Sequence, residues 1–154
     1  MPTTVWPAQG TTLSIDEILG NSNTFTLINN FTALDDLFGG TMSPAKTTVL
    51  GSINSHTYRG TIRDAAEISG DLWYDPTDAV HIFIRNWNNY PQNGAYTMQA
   101  IFNTSGNFNA ALGATATALV CGCTTFQITA GDVEENLTAS VSFKVSGDTT
   151  WNAT

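Results

Sequence analysis

The chain has 154 residues, enough for a domain that buries roughly 68–70% of the surface its unfolded form exposes, so it needs no disulfide or metal to fold. It carries 13 acidic and 5 basic side chains, a formal net charge of −8. The basic residues are scattered along the sequence, which disfavours a conventional nucleic-acid-binding surface of clustered Lys and Arg. Charged residues make up only 12% of the chain, and strand-, turn- and loop-forming Thr, Ser, Asn and Gly take their place. The composition predicts a β-rich protein.

Localisation signals are sparse in the sequence. No stretch approaches the 18 apolar residues that predict a membrane-spanning helix. The first four residues lack the basic segment and apolar run of a secretory leader. We therefore expect synthesis in a cytoplasm and no membrane partner.

Two cysteines, Cys121 and Cys123, are present. In a strand their Cα atoms would lie about 6.6 Å apart, near the upper limit for a disulfide. Two ligands cannot close a zinc site. We expect both to be small buried core residues, and we expect neither a metal nor a cofactor.

The first half of the chain shows two weak strand patterns, at residues 24–31 and 47–53. The segment between them, residues 33–46, holds a Gly pair and a Pro, which disfavour a strand. It also carries too many apolar side chains for a freely solvated loop, and long loops in compact domains are usually functional or disordered. We expect a long loop that docks on another surface, with Leu34, Asp35, Asp36, Leu37, Phe38 and Met42 as the candidate contact residues.

The middle of the chain contains a clear strand followed by a helix. Apolar and polar residues alternate over residues 66–74, which is typical of a half-buried strand. Asp75 is the expected N-cap, Pro76 fits the first helical position, and apolar side chains then follow helical spacing. We predict a helix over residues 76–86 that covers one sheet.

The last third of the chain predicts three more strands, over residues 96–102, 118–129 and 137–145. The turn-rich residues 131–136 join the last two strands into an antiparallel hairpin. The elements together predict a single all-β domain over residues 1–154, a β-sandwich or open barrel of antiparallel strands with one short flanking α-helix and a long stacking loop. Residues 1–10 and 148–154 are expected to be terminal arms.

The sequence contains no catalytic motif that we recognise. No GxSxG, phosphate-binding Gly loop or metal-spaced cluster is present. His56 and His81 are isolated and are best interpreted as surface or packing residues. Glu67 and Asp71 share a strand face but lie roughly 13 Å apart, too far for a pair of glycosidase carboxylates. We expect no enzymatic activity.

The four tryptophans leave two interpretations open. Trp offers a flat apolar face with a polar edge, so exposed tryptophans would favour a glycan-binding module. The alternative, which we favour, places Trp73 and Trp87 between sheet and helix, with Trp6 and Trp151 pinning the two ends of the domain.

Two motifs resemble the major tail (tail tube) proteins of long-tailed phages. Residues 63–76, RDAAEISGDLWYDP, are similar to the strand that precedes the family's short Asp-Pro helix, and residues 131–147, GDVEENLTASVSFKVSG, are similar to its closing hairpin. The order of the remaining elements also matches from about residue 11 to residue 147. Ala66 stands where the family often has Gly.

The resemblance implies a structural subunit of the virion tail, synthesised in the host cytoplasm. Six copies would form a ring, and rings would stack into a tube that joins other tail proteins and lets DNA pass without tight binding. Acidic walls would keep the DNA sliding because duplex DNA is itself strongly negative. The expected lumen-facing residues are Glu67 and Asp71, then Glu134 and Glu135. The alternatives are a glycan-binding or adhesion module and another virion β-protein, such as a decoration or tail-terminator subunit.

Overall fold

The computed structural model describes residues 11–18, 23–46, 58–60, 63–65, 67–90, 94–102 and 114–152. One helix and twelve strands lie within these ranges. In chain order they are β1 (Thr12–Ile15), β2 (Thr26–Leu27), β3 (Phe31–Asp36), β4 (Gly40–Met42), β5 (Ala45–Lys46), β6 (Tyr58–Arg59), β7 (Arg63–Ala65), β8 (Glu67–Trp73), α1 (Ala79–Asn89), β9 (Tyr96–Ile101), β10 (Thr115–Thr129), β11 (Thr138–Val145) and β12 (Thr150–Asn152).

Eight of these strands form one antiparallel sheet. Its order is β2-β1-β9-β10-β11-β8-β3, and β12 pairs with β10 beside this path. The remaining strands make two small antiparallel pairs, β4 with β7 and β5 with β6. The predicted all-β fold with one flanking helix is confirmed.

Strand β10 joins the two halves of the sheet. Its 15 residues pair first with β9 and β12 and then, from Val120 onward, with β11. The β11 pairing shifts register twice, between Val120 and Gly122 and between Cys123 and Thr125. Such bulges bend a strand and increase its twist. Apolar residues from both halves enter a single core cluster, so the sheet folds back on itself.

The two strongest strand predictions are confirmed. In β11 the side chains of Ala139, Val141, Phe143 and Val145 are buried, while the intervening residues are not. Strand β8 alternates in the same way, with Ile68, Gly70 and Leu72 buried and its outward positions more exposed. Each strand therefore has one apolar face on the core and one polar face.

The helix is present but begins later than predicted. Asp78 is the N-cap, and its Oδ1 accepts hydrogen bonds from the backbone N–H groups of Val80 at 2.8 Å and His81 at 3.2 Å. Asp75, the predicted cap, instead accepts hydrogen bonds from the N–H and hydroxyl of Thr77. Its carboxylate closes a turn around Pro76, which explains the delay of three residues.

The helix packs its apolar side on the sheet as predicted. Its buried residues are Val80, His81, Ile84 and Trp87. Trp87 stacks on Phe143 of β11 at a ring-centroid distance of 6.0 Å, and its Nε1 donates to the carbonyl of Gly94 at 2.9 Å. Full burial of an aromatic side chain with a satisfied N–H anchors the helix.

The prediction for residues 33–46 is wrong in its secondary structure. Residues 31–36 form β3, which pairs with β8, and residues 40–42 and 45–46 form β4 and β5. Residues 24–31 contain only the two-residue strand β2 before β3 begins. The predicted strand at residues 47–53 lies outside the described residues.

Three smaller predictions are corrected. Cys123 is buried but Cys121 is exposed, because the bulge in β10 interrupts the alternation of faces; both thiols are free. Trp73 is 51% exposed on the outer side of β8 and does not lie under the helix. In the predicted terminal arm at 148–154, Thr150–Asn152 form β12 and belong to the sheet. Residues 1–10, with Trp6, lie outside the described residues.

Candidate functional site

The outward side of β8 and β11 forms a polar face. Cross-strand register sets Glu67 opposite Lys144 and Asp71 opposite Ser140, and the hairpin register adds the matching positions of β10. Both predicted lumen residues of β8 are therefore on one exposed face. Its members are Glu67, Ser69, Asp71, Trp73, Thr125, Gln127, Thr129, Thr138, Ser140, Ser142 and Lys144.

Hydrogen bonds hold the carboxylates of the polar face in position. Ser140 Oγ donates to Asp71 Oδ1 at 2.8 Å. Ser69 Oγ donates to Asp36 Oδ2 at 3.2 Å, which brings Asp36 of β3 onto the same side of the sheet. The sequence interpretation placed Asp36 in a docking loop and missed this position. Three acidic side chains and one basic side chain now share the face, so it is net negative.

The other two predicted lumen residues lie at one end of the polar face. Glu134 and Glu135 are exposed in the turn that joins β10 to β11. Glu135 Oε2 accepts a hydrogen bond from the backbone N–H of Asp132 at 3.2 Å. Gly131 supplies the positive φ of 66° that this turn requires, a conformation that glycine adopts without steric cost. We call residues 131–136 the acidic turn. The side chain of Glu135 therefore helps to hold the turn together, whereas the side chain of Glu134 is exposed and takes no part in the hydrogen bonds that form the turn.

The predicted docking residues separate into a buried group and an exposed group. Phe38 is only 1% exposed, and Leu34 and Leu37 pack against the core. Asp35 and Met42 are exposed. The role of these residues in contacts between subunits stays a prediction, but in the isolated chain Phe38 is a core residue.

Two short antiparallel pairs, β4 with β7 and β5 with β6, lie between β3 and β8 in the chain, and we call the described residues of these four strands and their connections, 40–46, 58–60 and 63–65, the ribbon. Its strands pair with each other and with no other described strand. Met42 is 51% exposed and Tyr58 is 59% exposed. Met42 lies over Gly60, where an added Cβ would come within 3.0 Å of the Met42 sulfur. Exposed apolar side chains on neighbouring strands are typical of a surface that binds a partner.

The sheet leaves several edges unpaired. Among the described strands, β2 and β3 end the path of the sheet, and β12 pairs with β10 alone. Unpaired N–H and C=O groups along a strand edge are a template for pairing with another chain. Trp151 on β12 is 55% exposed and stacks on Phe102 at 6.1 Å, so it pins this end of the domain as predicted.

A hydrogen-bonded network ties the start of α1 to the β2–β3 connection. The backbone N–H of Asp75 donates to His81 Nδ1 at 3.1 Å. Because an N–H can only donate, Nδ1 is unprotonated, and Nε2–H donates to the carbonyl of Asn29 at 3.0 Å. The Asn29 amide in turn donates to Asp78 Oδ2 at 3.3 Å. His81 is thus a buried packing residue in its neutral form.

The two carboxylic acids at the start of α1, Asp75 and Asp78, both have lowered pKa values. Hydrogen bonds from the hydroxyl and the backbone N–H of Thr77 hold the pKa of Asp75 below its ordinary value. Partial burial raises the pKa of Asp78, but hydrogen bonds from Asn29, His81 and Val80 together outweigh it, so this pKa is also lowered. The hydrogen bonds that lower both pKa values stabilise the ionised carboxylates at the start of the folded helix.

Two features are absent from the described residues. In those ranges no group of three or more His, Cys, Asp or Glu side chains is placed to hold a metal ion. The one helix within them, α1, is not long and apolar enough to cross a bilayer. His56 lies outside the described residues.

Comparison with known proteins gives matches at the level of structure only. No protein-family model matches the sequence, and no curated protein matches it. A chain of the SPP1 tail tube superposes with a TM-score of 0.68 at 14% identity, covering 97% of this chain and 80% of that one. A chain from the tail of an empty gene transfer agent particle, refined with C6 symmetry, gives 0.66 at 16% identity and covers 94% and 96%.

Contractile injection systems supply similar structures. A chain of the sheath-tube complex of the PVC extracellular contractile injection system has a TM-score of 0.72 at 10% identity, covering 97% of this chain and 93% of that chain. These matches cover 94–97% of this chain and 80–96% of the other chains. The chain therefore has the fold of tail tube proteins and of related injection-system proteins, and the predicted resemblance is confirmed for the fold.

Proposed function

We propose that the chain is the subunit of a virion tail tube, which assembles with copies of itself into rings of six that stack into a conduit for DNA. It has no catalytic role in this proposal, and its partners are sibling chains and other tail proteins. The observation that carries the proposal is the shared fold, which extends over 97% of this chain in the SPP1 tail tube.

The unpaired strand edges support assembly into rings. An edge such as β3 or β12 is a hazard in a monomer, because another chain can add a strand to it. Pairing two different edges of neighbouring copies is a heterologous contact, and such contacts end only when the ring closes. The number six is supported by the C6 symmetry of the gene transfer agent tail.

The polar face supports the assignment of the bore. Duplex DNA carries about one negative charge per 1.7 Å of its axis, so a wall bearing Asp36, Glu67 and Asp71 repels it. Hydroxyl groups such as that of Ser140 fix the carboxylates without adding positive charge. DNA would therefore slide along this wall and not bind.

Negative-stain microscopy and sedimentation of the purified protein test the proposal. We expect rings at moderate concentration and rods of stacked rings at high concentration. A folded chain that remains monomeric up to millimolar concentration, with or without molecular crowding agents, contradicts it.

Helical reconstruction of such rods tests the bore assignment. We expect Glu67 and Asp71 on the inner wall, and we expect Glu67→Lys rods to retain added DNA in sedimentation at low salt. Glu17 is also exposed but lies outside the polar face, so Glu17→Lys is the matched control and should retain none. Rods with Glu67 on the outer wall contradict the assignment while leaving the tube intact.

One observation favours a second candidate, glycan binding. Trp73 is 51% exposed beside Thr138, and an exposed indole suits a sugar ring. Titrating a glycan panel against the intrinsic fluorescence of wild type and Trp73→Phe separates the candidates. A saturable shift that Trp73→Phe abolishes supports glycan binding, whereas the tube proposal expects no shift.

A further inference from the structure

Charge is divided unequally between the ribbon and the rest of the molecule. The described residues of the ribbon, 40–46, 58–60 and 63–65, contain Lys46, Arg59 and Arg63 and a single acidic residue, Asp64, a net charge of +2. The rest of the chain therefore has 2 basic and 12 acidic residues, a net charge of −10, which sums with the ribbon to −8. Three of the five basic residues thus lie in the ribbon, and the side chains of Lys46 and Arg59 are exposed.

The ribbon and the acidic turn lie at opposite ends of β8. The ribbon leaves the sheet where β3 ends and β8 begins, since Asp36 lies opposite Ser69 and Glu67 follows β7 by two residues. The acidic turn precedes β11, whose first residue, Thr138, lies opposite Trp73 at the other end of β8. The seven residues of β8 separate the two ends by roughly 20 Å.

The two surfaces are also matched in their apolar content. The ribbon exposes Tyr58 next to Arg59. The acidic turn exposes Val133 fully, next to Glu134. Each surface therefore offers one apolar side chain beside charge, and the two charges are of opposite sign.

We propose that the ribbon docks on the acidic turn of a second copy of this chain, with Arg59 and Lys46 facing Glu134 and Asp132. The inference rests on the proposed tube, and it specifies the chemistry that holds one copy to the next along the axis. Because the two surfaces differ and lie at opposite ends of one molecule, the contact repeats head to tail without self-termination. Opposite charges also reject a reversed copy, since two ribbons or two acidic turns would repel.

The contact makes assembly depend on salt. Exposed charges interact over a Debye length of about 8 Å at 0.15 M salt and about 3 Å at 1 M. The concentration needed to form rods should therefore rise with added NaCl. Hydrophobic burial does not weaken under the same change, so a contact dominated by apolar groups would show the opposite response or none.

Charge reversal tests the pairing. We expect Arg59→Glu and Glu134→Arg each to raise the protein concentration needed for rods by roughly tenfold, which corresponds to a coupling of about 1.4 kcal/mol, close to the lower end of the range measured for close charge pairs at a well-studied interface. The double variant Arg59→Glu/Glu134→Arg restores opposite charges and should recover most of the loss. Glu17→Arg is the control, with an equal charge change elsewhere. Circular dichroism and thermal unfolding of each monomer check that all four variants fold.

The outcomes separate this inference from the proposed function. Rods that form equally well with either single reversal overturn the docking contact and leave the tube proposal standing. Single reversals that impair assembly without recovery in the double variant overturn the pairing of Arg59 with Glu134. Wild-type protein that forms no assembly at any salt concentration overturns the tube proposal itself, and the docking contact with it.

Discussion

The backbone carbonyl of Ala33 lies directly against Gly70, where a Cβ would come within 2.5 Å of the Ala33 oxygen. Side chains of Leu34 and Phe31 close the same space at 3.1 Å. Strand β3 therefore reaches β8 only because position 70 has no side chain.

Gly70→Ala should destabilise the domain by about 1–3 kcal/mol, because the clash is with backbone and either strand must move. Urea unfolding followed by circular dichroism measures the change. Gly122→Ala is the matched control, since nothing lies within 4 Å of its Cβ position. An equal loss in both variants would mean that the effect is generic to glycine in a strand and not due to the contact with Ala33.

Phe38 should behave as a core residue in the isolated chain. It is 1% exposed, and its ring meets Trp151 edge to face at 6.5 Å. Phe38→Ala should lower the free energy of unfolding by about 3–5 kcal/mol. Val133→Ala, at a fully exposed position, should change it by less than about 0.5 kcal/mol. A monomer that keeps its stability in Phe38→Ala and fails only to assemble would support the docking role predicted from sequence.

The strands that sequence predicts well are those with one buried face. In β8 and β11 the core accepts every second side chain, so burial and sequence have the same period of two. The helix was predicted for a similar reason, but its start was ambiguous because Asp75 and Asp78 are both suitable caps. Only the structure shows that Thr77 engages Asp75, which leaves Asp78 to cap α1.

The ribbon and β3 were missed because their signals are not periodic. A Gly pair and Pro44 interrupt the segment, and β4 and β5 are too short to alternate. Strand β3 is longer, but it shifts register twice against β8, so its burial does not follow a period of two. Phe38 itself adopts a positive φ of 51°, a conformation that local sequence does not predict for a bulky residue. The burial of Cys123 beside the exposed Cys121 depends on a bulge set by the partners of β10, which are distant in sequence.

The candidate site also contains residues that the sequence pattern predicts and residues that it does not. Glu67 and Asp71 are two steps of period two apart on one strand, so their common face could be predicted. Asp36 reaches that face through the β3–β8 pairing, whose two register shifts no local pattern encodes. The basic residues of the ribbon are separated in the sequence, and the pairing of β4 with β7 and of β5 with β6 brings them together.

The acid dependence of stability should include a contribution from Asp78. Its pKa in the folded chain lies below the ordinary value of 3.8, so its carboxylate stabilises the fold above that value, and the contribution is lost as pH falls through the folded pKa. Asn also caps helices but does not titrate in this range. The stability difference between wild type and Asp78→Asn should therefore shift in favour of the variant below about pH 4. Denaturant unfolding at pH 7 and pH 3 measures the free energy of unfolding of both proteins. A difference between wild type and variant that is the same at both pH values would contradict the assignment.

The two thiols should differ sharply in reactivity. Burial raises the pKa of Cys123 to about 12, and its Sγ donates to the carbonyl of Thr125 at 3.3 Å, so almost no thiolate forms at pH 8. Cys121 is exposed. An aromatic disulfide reagent should therefore label one thiol per native monomer quickly and two after denaturation. Cys121→Ser should remove the fast reaction, and Cys123→Ser should keep it. Fast labelling of two thiols in the native chain would mean that β10 does not hold Cys123 against the core.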